Sequence, residues 1–125
     1  MSKRVKTLSS EKLSQVVVKG MQEKKANEIR VLDLKHISNS VADYFIICSG
    51  NSDTHIDAIA NSVEEEVIKT DGQLPWHKEG SNNKSWVLLD YVDVVVHIFA
   101  KESRSFYGIE DLWADAEITE IEQVG

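Results

Sequence analysis

Apolar positions recur along this chain with two different periods. Leu13, Val16, Val17 and Met21 fall on one face at helical spacing, and Ser9 or Ser10 just upstream can cap the first turn, so a helix is predicted there. A strand is predicted over Ile29–Leu34, followed by a polar connection, Lys35–Ala42, that holds Asn39 and Ser40. The run Tyr44–Cys48 is apolar without interruption, as in a strand buried on both faces. It ends at Gly50. Asn51 or Ser52 then opens a second helix, with Ile56, Ile59, Ala60, Val63 and Val67 along one side and Asp71-Gly72 as its stop.

In the second half the period shortens. A short strand is predicted around Gln73–His77, at a sheet edge because Pro75 has no N–H to give to a neighbour. A polar loop, Glu79–Asn83, leads to two strands, Trp86–Asp90 and Val94–Phe99, and the interval Tyr91-Val92-Asp93 is short enough for an antiparallel hairpin. In the last strand Val94, Val96 and Ile98 alternate with Val95, His97 and Phe99; both sets are largely apolar, which predicts a central strand. A short helix is predicted over Arg104–Trp113. This order of elements predicts an α/β fold with a mixed sheet of about five strands flanked by helices.

Composition adds bounds. The 125 residues suit a single domain, 1–125, with a core over about 8–116 and short tails. The apolar share of 42% and charged share of 28% are those of a globular chain able to bury a core without a disulfide or metal. The lone Cys48 and the absence of a signal-like segment after the basic start (Lys3, Arg4, Lys6) place the protein in the cytoplasm. Apolar runs are far shorter than the ~20 residues that span a bilayer, so no membrane association is expected. A net charge of −7 argues against direct binding to nucleic acid and fits a basic protein partner.

The search for reactive chemistry leaves little. Ser49-Gly50-Asn51-Ser52 joins a strand to a helix, where backbone amides can meet a phosphate, but it lacks both the Gly-x-Gly-x-x-Gly fingerprint and a Walker lysine. It is read as a tight turn before a capped helix. Asp90 and Asp93 are the carboxylates best placed to hold magnesium, yet they flank a turn, where Asp is common for local reasons. His36, His55, His77 and His97 have no zinc spacing, and His97 reads as a hydrogen-bonded core residue. No catalytic residue, cofactor or metal is assigned. The competing reading is a nucleotidyltransferase-like enzyme that binds nucleotide near Gly50 through Asp90, Asp93 and magnesium; another is a dimeric adaptor for some other protein.

The aromatics carry more. Trp86, Tyr91, Phe106, Tyr107 and Trp113 crowd the last third, with Trp76 slightly earlier. Trp86 starts a strand, Tyr91 sits in a hairpin turn and Tyr107 opens a short helix; at such element ends aromatics often serve as exposed binding anchors. Asp90, Asp93, Glu110 and Asp111 would give this patch an acidic rim for a basic partner.

Three stretches resemble a known family. They are Val41-Ala42-Asp43-Tyr44-Phe45-Ile46-Ile47-Cys48-Ser49-Gly50-Asn51-Ser52, the run from Trp86-Val87-Leu88-Leu89-Asp90-Tyr91 through Phe99, and Arg104-Ser105-Phe106-Tyr107 through Leu112-Trp113-Ala114-Asp115-Ala116. In this order they resemble the signatures of the ribosomal silencing factors, also called YbeB or Iojap, over about Leu8–Ala116. The resemblance implies a nucleotidyltransferase-like fold without the catalytic carboxylates, often a homodimer when free. It also implies binding to the large ribosomal subunit through universal large-subunit ribosomal protein fourteen, which blocks subunit association and represses translation when nutrients are short. By position in the motifs it implies Trp86, Tyr91 and Tyr107 as contact residues, with Asp90 and Asp93 as weaker ones. Val92 departs from the pattern, since many relatives carry Gly there, which leaves the hairpin turn open.

Overall fold

In a computed structural model of the chain, which describes residues 8–80, 82 and 84–122, a six-stranded mixed sheet carries helices on both faces. The basic start Lys3, Arg4 and Lys6, Ser81 and Asn83 of the predicted polar loop, and tail residues 123–125 lie outside the described residues. The elements are α1 (Ser10–Glu23), β1 (Asn27–Asp33), β2 (Tyr44–Gly50), α2 (Asp53–Asp71), β3 (His77–Glu79), β4 (Trp86–Asp90), β5 (Val94–Ala100), α3 (Lys101–Tyr107), α4 (Ile109–Leu112) and β6 (Glu117–Glu120). The strand order is β3-β4-β5-β2-β1-β6. Among the described residues only β2 and β5 run parallel; every other neighbouring pair is antiparallel.

Local chemistry explains the boundaries. The Ser9 hydroxyl accepts from Lys12 N–H and starts α1, and Ser52 accepts from His55 N–H and starts α2. Gly72, at φ +67, ends α2 in the left-handed conformation that glycine tolerates. Pro75 excludes pairing at the predicted start of the third strand. Pairing begins instead with Trp76 N–H donating to the Asp90 carbonyl at 2.7 Å and continues through β3 at the sheet edge. The predicted final helix is broken by Gly108 at φ +59 into α3 and α4.

The sheet has six strands rather than about five. Glu117–Glu120, in the predicted tail, pairs antiparallel with β1, with Arg30 opposite Glu120 and Asp33 opposite Glu117. No alternation marks this segment, because all four of its residues are exposed and its place is fixed by backbone pairing with β1.

Both faces of the central strands are apolar, and each meets a different layer. Val94, Val96 and Ile98 of β5, with Ile46 and Cys48 of β2, pack under α1 and α2. The two helices approach closely at Gly20: a Cβ there would lie 2.7 Å from Val63 Cα, and the Ser62 hydroxyl donates to the Gly20 carbonyl at 2.7 Å. On the other face Val95 and Phe99 join Phe45, Ile47, Leu32 and Ile109. That second layer is thin, covered by α3, α4 and the turn after them. No described helix is long and apolar enough to cross a membrane.

Candidate protein-binding site

The second face builds an aromatic surface from the sheet outward. Cross-strand pairing sets Trp86 opposite Phe99 and Leu88 opposite His97. The Trp86 ring lies 5.1 Å from Phe99 and 4.7 Å from Tyr107, and Phe106 meets Tyr107 edge-on at 5.2 Å. Beneath them the Trp86 indole N–H donates to His97 Nδ1 at 3.0 Å, which places the imidazole proton on Nε2. Burial pushes His97 down to about 3, so it stays neutral. Phe45 stacks edge-on against His97 and Trp113, completing the floor. Above this floor Phe106 is 81% exposed, Leu112 79% and Tyr107 45%. Apolar side chains this open on one short corner mark an interaction surface rather than a core.

The predicted site residues separate. Trp86 and Tyr107 come together as expected, with Tyr107 ending α3. Tyr91 does not join them: it is 2% exposed and packs with Val87 and Leu89 on the opposite face, under the helices. The alternation of β4 carries past its end, so residue 91 keeps the inward phase of 87 and 89. The expectation of an exposed Tyr91 anchor is therefore corrected. Asp90 and Asp93 flank the hairpin turn at the far end of β4, about 13 Å from Trp86 by strand rise. Asp90 accepts from Val92 N–H at 2.7 Å, and the Asp93 carbonyl accepts from Asp43 and Tyr44 N–H. Val92 itself sits at φ +77, with Asp93 N–H bonded to the Tyr91 carbonyl, in a tight turn that glycine would fill with less strain. Phe106 and Leu112 were not singled out as contact residues from sequence; their apolar character alone did not distinguish surface from core.

Glu110, expected on the acidic rim, is turned inward. It accepts from Arg104 Nε at 2.9 Å and Nη2 at 3.0 Å, and from Arg30 Nη1 at 2.8 Å. The Arg104 guanidinium, assisted by Arg30, holds the Glu110 carboxyl below the usual carboxylate range. Arg104 is buried, and its Nη1 also donates to the Ser49 hydroxyl at 3.0 Å at the carboxyl end of β2. This network fills the carboxyl end of the parallel β2–β5 pair, the place where open α/β sheets commonly take ligands.

The phosphate-binding possibility at Ser49–Ser52 is met from within the chain. Asn51 N–H donates to His55 Nδ1 at 2.9 Å, and His55 Nε2 in turn bonds the Lys24 carbonyl at 2.8 Å. Gly50 lies opposite Ala100, whereas Asp90 lies opposite Val95 and Asp93 precedes β5, so the glycine and the two carboxylates stand at opposite ends of β5. They do not form one site. Among the described residues, Asp33, His36 and Glu117 bring ligand atoms within 4.8 Å of one another, but Asp33 already receives the Lys35 ammonium at 3.0 Å. A cavity of about 360 Å³ between α1 and the β1–β6 edge is lined by Glu11, Val18, Val31, Asp33, Tyr44 and Glu117, away from the aromatic surface.

Comparison with known proteins gives one consistent answer. The family model described as "Ribosomal silencing factor during starvation" matches residues 7–125. The ribosomal silencing factor of Halalkalibacterium halodurans is 40% identical over 117 residues, covering 94% of this chain and 98% of that protein. That of Bacillus subtilis is 37% identical over 115 residues, covering 92% and 96%. A crystal structure of a Chromobacterium violaceum protein superposes with a TM-score of 0.80 at 29% identity, covering 86% of this chain and 88% of the other. The Halalkalibacterium and Bacillus relatives are named as silencing factors rather than as enzymes. The chain belongs to the ribosomal silencing factor family.

Proposed function

We propose that this protein binds the large ribosomal subunit through universal large-subunit ribosomal protein fourteen and blocks the approach of the small subunit by bulk alone, repressing translation under nutrient limitation. Family membership brings the ribosome into the reading. The observation that carries the binding mode is the aromatic cluster of Trp86, Tyr107 and Phe106, with Phe106, Tyr107 and Leu112 exposed on α3 and α4. Glu102, Asp111 and Asp115 are exposed on the same segment, in a chain of net charge −7, which suits a basic protein surface with an apolar centre. Tyr91 supports the hairpin from inside, and Asp90 and Asp93 shape its turn. A domain about 30 Å across, seated where the small subunit must dock, needs no catalytic group. The reading includes a cytoplasmic, ribosome-associated protein that is a homodimer when free.

Sedimentation with separated subunits tests it. The protein should pellet with large subunits and reduce subunit joining. Trp86→Ala or Tyr107→Ala should cost roughly 2–4 kcal/mol of binding, as loss of an anchor aromatic does. Folded variants that pellet like the wild type would remove the aromatic corner from the interface, and a wild-type chain that leaves joining unaffected would overturn the silencing reading.

A further inference from the structure

The partner-facing side chains stand on two helices that have little reason to hold their place. α3 has seven residues and α4 four, both too short to persist alone, and neither has a side-chain cap at its start. Within these two helices only Arg104 and Ile109 are buried, while Phe106, Tyr107 and Leu112 point outward. The fully buried attachments of α3–α4 are therefore one apolar residue, Ile109, and one polar one, Arg104, beside the half-exposed Tyr107 ring that rests on Trp86 and Phe99. The polar one is strong: a paired Arg–carboxylate fork between Arg104 and Glu110 that spans the Gly108 turn, a tie from Arg104 to Ser49 in the sheet, and a brace from Arg30 of β1 to the same carboxylate. Each helix thus contributes one half of the clasp.

We propose that Arg104 is a positioning residue for ribosome binding. Clasped to Glu110 and tied to Ser49, it holds α3 and α4 so that Phe106, Tyr107 and Leu112 are presented as one preformed surface. The inference rests on the binding mode proposed above. Preformation matters because side chains ordered before association need not be ordered during it. Arg104 itself is buried and does not reach the partner; it acts through the residues it fixes. Lysine cannot replace it, since a single ammonium cannot span both carboxylate oxygens and the Ser49 hydroxyl.

Two readouts on the full-length protein test the proposal, one of them independent of the ribosome. In Arg104→Gln and Glu110→Gln, amides of residues 105–113 should exchange with deuterium at least about tenfold faster, while those of α1 and α2 keep their protection. Affinity for large subunits should fall roughly 10- to 100-fold in Arg104→Gln. The same change made in a Tyr107→Ala, Phe106→Ala background should cost far less, because the side chains it positions are gone. Arg104→Lys should behave like Arg104→Gln in both readouts. Unchanged exchange at the corner, or equal losses in the two backgrounds, would overturn the proposal. Global unfolding of both Gln variants would do so as well, assigning the pair to overall stability. Accelerated exchange at the corner in a protein whose wild type does not bind large subunits would instead strike the ribosome reading and leave the clasp standing.

Discussion

Tyr91 shows how one side chain can reverse its assignment without any change of element. Its ring fills the space beneath the helices, and its hydroxyl is buried without a hydrogen-bond partner among the described residues. Burial pushes the phenol well above its ordinary range. A buried hydroxyl left unpaired costs roughly 1–3 kcal/mol, so Tyr91→Phe should keep or raise stability, by up to about 1 kcal/mol in urea unfolding, and leave large-subunit binding unchanged. A loss of stability would mean that the hydroxyl makes a bond the fold needs. The turn residue Tyr91 looked exposed from sequence because the hairpin ends near it. What sequence could not display is that the strand's alternation runs one residue past Asp90, where Tyr91 N–H still donates to the Val94 carbonyl across the hairpin.

Among the elements, the α1–α2 crossing is a contact sensitive to a single methyl group. Glycine inside a helix ordinarily costs about 1 kcal/mol relative to alanine. At Gly20 that preference reverses, because an added Cβ meets the backbone of α2 at Val63. Gly20→Ala is expected to destabilise by roughly 1–3 kcal/mol, as overpacking does, with the loss visible as a lower thermal midpoint and faster exchange in both helices. A midpoint equal to or above that of the wild type would show that the helices can separate freely. Legibility at this scale followed chemistry that acts within a few residues. Ser9, Ser52 and Gly72 announced helix ends, and the uninterrupted run at Tyr44 announced a central strand. β6 stayed hidden because its support comes from a distant strand, through backbone pairing with β1 and the Arg30–Glu120 ion pair. The break at Gly108 was missed because Phe106, Ile109 and Trp113 keep a helical rhythm across it. The clasp of Arg104 and Glu110 was invisible for a similar reason: opposite charges six positions apart meet only because the chain turns between them.

For the whole molecule, acid sensitivity should trace to the floor of the aromatic surface. His97 is held neutral by burial, with its titration lowered from 6.5 to about 3, whereas the unfolded chain takes up its proton near 6.5. The unfolded state therefore binds more protons between these values. The contribution of His97 is complete above pH 6.5 and is lost as pH falls toward 3, by at most about 1.4 kcal/mol per pH unit. Urea midpoints measured from pH 7 to 5 should fall in the wild type and fall less in His97→Gln; equal slopes would exonerate the imidazole. Glu110 adds a second loss at lower pH, since its depressed carboxyl stabilises the fold above the ordinary carboxylate range and ceases to do so once protonated.

The central strands are roofed by two long helices on one face and only partly covered on the other, where two short helices leave Phe106 and Leu112 open. On the proposed binding mode, the ribosomal partner becomes the missing layer of a sandwich. A protein completed by its target is stabilised by that target through mass action, and its unbound copies are the ones that unfold and meet proteases. The supply of free large subunits would then set how long the factor survives as well as how much of it is engaged. Copies in excess of their target would be the first removed, so that an incomplete second layer doubles as a limit on the dose.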